Sequence, residues 1–215
     1  MTPGALGSLT FRLRLIVITD PGLAAPRSVV GVVRAAIEAG APAVQLRNKG
    51  QSARELLEVG RLLRTITRDS SALFFVNNRL DVALALEADG VHLGPDDLPV
   101  AAVRAVAPPG FLIGRSADQV EIARQAVRDG ADYIGCGTVY ATTTKRDAGD
   151  VIGLEGLARV ADGVGVPVVG IGGITPTRAR QVAATGAAGV AVVGAVMAAE
   201  DPGLATAALL SRMAR

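Results

Sequence analysis

Eight short apolar runs alternate with helical patterns along nearly the whole chain, and this alternation restricts the fold more than any other feature of the sequence. The predicted strands are Arg14–Thr19, Ala43–Leu46, Leu73–Val76, Gly90–Leu93, Leu112–Gly114, Tyr133–Cys136, Val168–Ile171 and Gly189–Val193. Between them, apolar residues recur at three- and four-residue spacing, which indicates amphipathic helices. Eight strands, each followed by a helix, predict an α/β fold of one domain, a (β/α)8 TIM barrel.

One turn sequence recurs with variations at four places: 38–44, 87–91, 128–134 and 184–190. Each copy ends a helix on small or left-handed-tolerant residues and passes directly into a strand, as expected for the turns at the bottom of a barrel. The longer, polar loops must then lie at the C-terminal face, where barrel enzymes place their sites. An open doubly wound sheet is the alternative fold, but the first loop, Thr19–Gly22, lacks the Gly-rich turn typical of it.

Composition narrows the class of protein. The net charge of +2, the 3% aromatic content and the absence of Trp argue against a nucleic-acid partner. Cys136 is the single cysteine, which excludes a disulfide framework and fits a cytoplasmic protein. The longest apolar run, Ala187–Ala199, is too short to cross a membrane. Residues 1–10 are expected to form a flexible leader rather than a signal peptide, and 11–215 the catalytic barrel.

Two polar stretches follow predicted strands and carry donors suited to an anion. In Gln45–Lys49 the side chains of Gln45, Arg47 and Lys49 fall on one face of the strand, pointing into the barrel mouth. Gly137–Lys145 brings three consecutive threonine hydroxyls, followed by an ammonium, to the loop after strand six. Both favour a phosphate or diphosphate ligand. The alternatives are a structural ion pair for the first stretch and a solvated surface turn for the second.

Oxygen ligands follow strands three and four. Asn77 and Asn78 stand at a strand tip, where an amide can bind a polar ring edge or a metal. Asp96 and Asp97 are adjacent carboxylates beside the predicted diphosphate site, which suggests Mg²⁺. The alternative is that one of the two carboxylates only caps the following helix. The only histidine, His92, is interpreted as a structural residue rather than a base.

The last loops offer a hydroxyl and open backbone groups. Ser116, after strand five, is either a helix N-cap or a ligand contact, and the cap is the commoner role. Glycines follow strand seven in Ile171–Thr175 and strand eight in Val193–Ala195. At these two positions of a barrel, open backbone N–H groups form a recurring phosphate site.

Taken together, these loops resemble the thiamine phosphate synthase family over about Leu15 to Ala199. Gln45–Lys49 is similar to the family's Q-L-R-x-K, and Gly90–Leu98 resembles its G-V-H-L-G-x-x-D-L. Thr142–Lys145 matches T-x-T-K, and Ile171–Ile174 matches I-G-G-I. The resemblance implies an enzyme that joins a hydroxymethylpyrimidine diphosphate to a thiazole phosphate, giving thiamine phosphate and diphosphate with the help of Mg²⁺.

The same resemblance implies a role for each matching residue. The pyrimidine diphosphate would be held by Gln45, Arg47, Lys49, Asn77, Ser116 and Lys145. Of these, the groups expected to assist catalysis at the departing diphosphate are Arg47, Lys49, Ser116 and Lys145. The thiazole phosphate would be held by Thr142, Thr144, Gly173, Val193 and Gly194. Mg²⁺ would be bound by Asp97 together with Asn78.

Four residues depart from the family pattern. Asn78 stands where a second Mg²⁺-binding Asp is usual, so weaker Mg²⁺ binding is expected. Pro95 replaces a common Gln, Thr138 a common Pro and Gly194 a common Ser.

Two other functions compete with the synthase. A thiazole tautomerase shares the barrel but uses a His where this chain has Thr138, and a non-catalytic thiamine-precursor binder fits the departures at Asn78 and Pro95. The expected partners are small-molecule substrates rather than nucleic acid or membrane, and the sequence leaves homo-oligomerisation open.

Overall fold

A computed structural model describes residues 3–48, 50–142 and 150–213, with side chains from Ser8 onward, and it contains a closed barrel of eight parallel strands in sequential order. The strands are β1 Leu15–Ile18, β2 Ala43–Leu46, β3 Leu73–Asn77, β4 Gly90–Leu93, β5 Leu112–Ser116, β6 Tyr133–Cys136, β7 Val168–Ile171 and β8 Gly189–Val192. The predicted TIM barrel is confirmed. β3 and β5 run past their predicted ends, because Asn77 and Ser116 still belong to the sheet.

Helices lie between the strands and at both ends of the described chain. They are α1 Pro3–Arg12, α2 Pro21–Ala24, α3 Val29–Glu38, α4 Ala53–Asp69, α5 Leu80–Ala85, α6 Val100–Val106, α7 Val120–Arg128, α8 Gly153–Gly163, α9 Pro176–Ala183, α10 Gly194–Met197 and α11 Pro202–Met213. The connection after β1 carries both α2 and α3. After β8, the single turn of α10 precedes the longer α11.

Helix α1 departs from the sequence analysis, which expects a flexible leader over residues 1–10. Leu9 on α1 and Leu13 just after it are buried in the apolar cluster that fills the barrel. Burial of these two side chains stabilises a segment whose composition alone indicates a loose end. The division of the chain at residues 10 and 11 stays a prediction.

The strands alternate between two apolar cores. Val44 and Leu46 of β2 belong to the large core between the sheet and the helices. Ala43 of the same strand belongs to the smaller core inside the barrel, with Ile16, Phe75 and other inward residues. This period of two follows from the strand geometry and sends every second residue of each strand toward the barrel axis.

The recurrent turns have the backbone conformation predicted for them. The residues with left-handed φ are Gly40, Glu87, Gly130 and Gly186. In the first three turns, the following N–H reaches back to the last helical turn, as in Ala41 N to the Ala36 carbonyl at 3.0 Å. This bond satisfies a carbonyl that the helix end leaves open, and it directs the chain straight into the next strand.

Two ion pairs link neighbouring strands near these turns, and we call them the Asp–Arg clamps. In the first, Asp89 Oδ2 accepts hydrogen bonds from Phe74 N at 2.7 Å and from Arg64 Nη1 at 2.9 Å. The carboxylate thereby ties the start of β3 to the turn before β4. Arg64 Nε is buried and has no partner within the described residues.

The second clamp repeats this arrangement two strands further on. Asp132 Oδ2 accepts from Ile113 N at 2.8 Å and from Arg104 Nη2 at 2.5 Å. Arg104 also donates to the carbonyls of Gly130 and Phe111. The recurrence of the clamp at β3–β4 and β5–β6 extends the internal repeat from the turns to side-chain contacts.

Among the described helices, none combines the length and the apolar character that a membrane span requires.

Candidate active site

The C-terminal end of β2 presents polar side chains to the barrel mouth. Gln45 is buried and Arg47 is half-buried. Thr19 holds this end in place, because its hydroxyl donates to the Arg47 carbonyl at 3.0 Å and accepts from Arg47 N at 2.9 Å. These bonds continue the pairing of β1 with β2 and hold the backbone of Arg47 in place. Gln45 shares the inward phase of Ala43, as the sequence analysis expects, and its contact with a ligand stays a prediction.

A cavity of about 230 Å³ lies beside this end. It is lined by the polar residues Arg47, Asn77, Asn78 and Arg79, together with the loop that enters α4. A larger cavity of about 420 Å³ lies at the opposite face, next to α1 and Pro108–Leu112. The smaller cavity is lined by three of the predicted site residues, Arg47, Asn77 and Asn78, and it lies at the face where barrel sites are found.

Asn77 and Asn78 differ in their surroundings although they are adjacent. Asn77 ends β3 and is half-buried, whereas Asn78 is exposed and has a left-handed φ of 54°. Asn78 N donates to the His92 carbonyl at 2.8 Å, which continues the pairing of β3 with β4. Asp81 in the first turn of α5 forms two hydrogen bonds with Arg79, which lower the pKa of the carboxyl. Asp81 therefore belongs to a local ion pair in the first turn of α5.

Asp97 closes the loop after β4. Its Oδ2 accepts from Gly94 N at 2.6 Å, and Gly94 O accepts from Asp97 N at 3.2 Å. The helix-cap alternative is not found, because Pro99 occupies the N-cap of α6 and no side chain caps that helix. Arg115 on β5 donates to the carbonyls of Gly94 and Pro95 and fixes the same loop from the neighbouring strand. The sequence analysis missed this contribution of Arg115.

Ser116, His92 and Tyr133 form a hydrogen-bonded row inside the barrel. His92 Nε2 lies 2.9 Å from Ser116 Oγ, and His92 Nδ1 lies 3.0 Å from the Tyr133 hydroxyl. Ser116 is part of β5, and the N-cap of α7 is Gln119, so the cap alternative for Ser116 is wrong. The sequence could have indicated this row, because strand periodicity places His92, Ser116 and Tyr133 on the inward face of β4, β5 and β6.

The loop after β6 packs tightly on the glycines after β7. Gly172 and Gly173 both have left-handed φ, of 103° and 61°. A Cβ on Gly173 would lie 2.7 Å from the Ala141 carbonyl, so the loop can approach this closely only because residue 173 is glycine. Thr138 is buried beside Gly172, and its carbonyl accepts from Ile152 N at 2.8 Å.

Helix α10 begins at Gly194, directly after β8. In this first turn Val193 O accepts from Val196 N and Met197 N, so the N–H groups of Gly194 and Ala195 have no intrahelical acceptor. A short extra helix after the last strand is the usual phosphate-binding element of such barrels. Arg27 secures the other end of α10 by donating to the carbonyls of Met197, Ala199 and Glu200.

Three predicted site residues, Lys49, Thr144 and Lys145, lie outside the described residues. Thr142, the last described residue before the undescribed segment 143–149, is half-buried. Within the described part of the chain, no three His, Cys, Asp or Glu side chains are grouped as a metal site. The described mouth therefore offers hydrogen-bond donors, a guanidinium and isolated oxygen ligands rather than a preformed metal cage.

Cys136 lies at the end of β6 but does not serve the mouth. It is fully buried, and burial raises the pKa of its thiol to about 12, with a smaller contribution from Asp118. A thiol with this pKa is not a nucleophile near neutral pH.

The fold and the mouth together define a (β/α)8 barrel whose C-terminal face presents hydrogen-bond donors and a guanidinium around a cavity. The chain belongs to the thiamine monophosphate synthase family, whose sequence model matches residues 15–196. It is 50% identical over 187 residues to the thiamine-phosphate synthase of Moorella thermoacetica, covering 87% of this chain and 89% of that protein. It is 49% identical over 199 residues to the enzyme of Pyrococcus furiosus, covering 93% and 94%.

The fold agrees with this membership. The solved structure of thiamine phosphate pyrophosphorylase from Pyrococcus furiosus matches with a TM-score of 0.88 at 48% identity, covering 95% of this chain and 97% of that one. The structure of 3-hexulose-6-phosphate synthase matches with a TM-score of 0.69 at 18% identity, which shows the shared barrel alone. The resemblance to the synthase family is confirmed, and the tautomerase and binder alternatives find no support.

Proposed function

We propose that this chain joins a hydroxymethylpyrimidine diphosphate to a thiazole phosphate, giving thiamine phosphate and releasing diphosphate. The observation that carries the proposal is agreement in both sequence and fold, over nearly the full length, with proteins named for this activity. The described mouth fits substrates of this kind. It combines a half-buried guanidinium at Arg47, a buried amide at Gln45 and open N–H groups at the start of α10.

The bond changes need little acid–base chemistry. The bond between the pyrimidine methylene carbon and the diphosphate oxygen breaks, and its electron pair leaves with diphosphate. The lone pair of the thiazole nitrogen then forms the new C–N bond to the same carbon. A barrel mouth rich in donors and cations lowers the barrier by stabilising the charge that develops on the leaving diphosphate. The inferred partners of that charge are Arg47, Lys49, Ser116 and Lys145.

The two substrates are assigned to different sides of the mouth. The pyrimidine diphosphate lies toward the ends of β2, β3 and β5, where its ring meets Gln45 and Asn77. The thiazole phosphate lies toward β7 and β8, and its inferred ligands are Thr142, Thr144, Gly173, Val193 and Gly194. The supporting observation is that backbone donors after β7 and β8 sit where a barrel of this type binds phosphate.

The donor set at β3 and β4 fits Mg²⁺. Asn78 supplies an exposed amide oxygen, and Asp97 keeps Oδ1 outside its turn-closing bond, which uses Oδ2. Mg²⁺ prefers oxygen ligands and retains waters, and it is commonly bound by one or two carboxylates together with substrate phosphate. When bound, Mg²⁺ would neutralise part of the diphosphate charge. The single carboxylate leads us to infer a weaker site than one with two.

A turnover assay tests the proposal. Purified protein, both substrates and Mg²⁺ should yield thiamine phosphate and diphosphate in equal amounts, measured by chromatography and phosphate release after pyrophosphatase treatment. Binding of both substrates without product would contradict the synthase activity and favour the binder. Isomerised thiazole phosphate without coupling would favour the tautomerase.

Lys145→Ala connects the assay to the site. We expect kcat/KM to fall by about 100-fold or more, since a charged donor to the leaving diphosphate is lost. The urea midpoint should change little, because a charged side chain that serves to bind substrate contributes little to folding. Lys145→Arg serves as the matched control and should retain more activity than the alanine variant. An unchanged rate in Lys145→Ala would remove this loop from the site.

A further inference from the structure

The row formed by Tyr133, His92 and Ser116 has a direction that the hydrogen bonds define. All three side chains come from inward positions of the barrel, on β6, β4 and β5. Glycines on β5 and β6 leave the space for the rings. A Cβ on Gly114 would lie 2.1 Å from the Tyr133 ring, and one on Gly135 would lie 2.8 Å from the His92 ring. Two positions without side chains thus accommodate two polar rings in the centre of the fold.

Tyr133 is the buried end of the row. The residue is 1% exposed, and its hydroxyl has one hydrogen-bond partner within the described residues, His92 Nδ1. If Nδ1 carried a hydrogen and donated to the hydroxyl, the phenolic hydrogen would be buried without an acceptor, which is unfavourable. The favourable arrangement has the Tyr133 O–H donating to Nδ1. Burial also raises the pKa of Tyr133, so the phenol keeps its hydrogen.

The direction of the first hydrogen bond fixes the direction of the second, through the imidazole ring of His92. With Nδ1 as acceptor, the neutral imidazole carries its hydrogen on Nε2, because each neutral ring has one N–H. Nε2–H donates to Ser116 Oγ, 2.9 Å away. The hydroxyl of Ser116 accepts this bond and keeps its own hydrogen for another acceptor. Ser116 is half-buried at the C-terminal end of β5, so that hydrogen is available to a ligand in the mouth.

We propose that Tyr133 and His92 are positioning residues that fix the hydroxyl of Ser116 as a hydrogen-bond donor to an anionic group, the diphosphate of the pyrimidine substrate. The identity of the anion rests on the proposed function. Without the row, the Ser116 hydroxyl could equally donate to a ring nitrogen and present only lone pairs to the substrate. The row removes that competing orientation before the substrate arrives, which is the advantage of a preorganised donor.

The tautomer can be read directly because His92 is the only histidine of the chain. We expect ¹⁵N-edited NMR of histidine-labelled wild-type protein at neutral pH to show a protonated Nε2 and an unprotonated Nδ1. Tyr133→Phe, which keeps the ring, should shift the signals toward a mixture of tautomers. Tyr140→Phe is the matched control, since that hydroxyl donates to Gln181 outside the row, and it should leave the His92 signals unchanged. A hydrogen on Nδ1 in the wild-type protein would overturn the proposal.

A double-mutant cycle separates this role from a purely structural one. Ser116→Ala should lower kcat/KM about 10- to 100-fold, the range expected for one hydrogen bond to a charged group. Tyr133→Phe should lower it about 3- to 10-fold, because the Ser116 donor is then correctly oriented in only part of the molecules. In Ser116→Ala, adding Tyr133→Phe should have no further effect. Independent, multiplying losses would show that Tyr133 does not act through Ser116 and would refute the proposal.

Calorimetric titration with inorganic diphosphate and Mg²⁺ distinguishes a failure of this inference from a failure of the proposed function. If the wild-type protein binds diphosphate but forms no thiamine phosphate, the synthase activity is wrong. The row is then judged by binding alone, and the same non-additive losses in affinity support it. If Tyr133→Phe and Ser116→Ala both bind diphosphate as tightly as the wild-type protein, the row does not direct a donor to this anion.

Discussion

Replacing Asp132 by Ala would remove the carboxylate of the second Asp–Arg clamp at the bottom face, away from the mouth. Asp132 Oδ2 accepts from Ile113 N on β5 and from Arg104 Nη2. Because this face of a barrel serves stability rather than catalysis, we expect the variant to lose stability while its kcat/KM stays within about twofold of the wild-type value.

The contacts set the size of the loss. Arg104 keeps its bonds to the Gly130 and Phe111 carbonyls, so its charge remains solvated by the protein. Ile113 is fully buried, and its N–H loses its acceptor, which costs about 1–3 kcal/mol. The ion pair itself is partly exposed, with side-chain exposures of 34% for Arg104 and 19% for Asp132, and adds about 0.2–1 kcal/mol. The two contributions sum to about 1–4 kcal/mol, and we expect a destabilisation near the middle of that range, about 2–3 kcal/mol.

Urea unfolding followed by far-UV circular dichroism measures this loss, since the chain has no Trp to serve as a fluorescent probe. A change of this size corresponds to a fall in Tm of about 4–12 °C for a chain of this length. Asp132→Asn should lose less, because its amide oxygen can still accept from Ile113 N. Glu87→Gln is the matched control, because it removes an ion pair at the surface. The side chain of Glu87 is 79% exposed and that of its partner Arg68 is 59% exposed, so this variant should lose under about 0.5 kcal/mol of stability.

Two results would refute this reasoning. If Asp132→Ala unfolds at the same urea concentration as Glu87→Gln, the clamp contributes no more than a surface ion pair. If Asp132→Ala folds with wild-type stability but loses activity, the bottom face acts on the site in a way that the structure does not indicate.

Three further predictions concern the mouth and the two apolar cores. Asn78→Asp should lower the Mg²⁺ concentration for half-maximal activity several-fold, because a carboxylate adds charge to the site, and an unchanged Mg²⁺ requirement would contradict this role. Burial holds the pKa of Cys136 at about 12 against about 8.5 for a free thiol. Unfolding then releases a proton above pH 8.5, so stability should fall as pH rises from there toward 12. Cys136→Ala should flatten that slope in urea titrations, and a thiol reagent should not label the native protein. Gly114→Ala should destabilise the fold by more than about 2 kcal/mol, because its Cβ would overlap the Tyr133 ring, whereas Gly165→Ala, with open space around it, should be nearly neutral.

The fold was largely predictable because its signal is periodic. Four strands, β2, β4, β6 and β7, have the predicted bounds, and the others differ by no more than two residues at either end. Apolar runs bounded by recurrent turns define such strands without tertiary information. Helix α1 was not predictable in the same way. Its small, weakly patterned residues gain stability from the burial of Leu9 and Leu13 inside the barrel, which is a long-range contact.

The candidate site was predictable in composition but not in its internal contacts. The inward phase of Gln45 follows from strand periodicity, and the resemblance to the synthase family implies a substrate contact for Ser116. Local reasoning favoured a helix cap for Ser116, because Ser before a helix usually has that role. The extension of β5 to Ser116 removed that role, and the neighbouring strand placed His92 beside it.

The sequence by itself determined the barrel, the face where a site is expected and the residue types proposed to meet an anion, because these depend on the period of apolar residues and on short motifs. Only the tertiary structure decided how distant residues act on one another. Asp97 closes its own loop while Arg115 from the next strand holds it, and His92 joins Tyr133 to Ser116. Such contacts depend on the register between strands and on the space left by interior glycines, which no local pattern in the chain specifies.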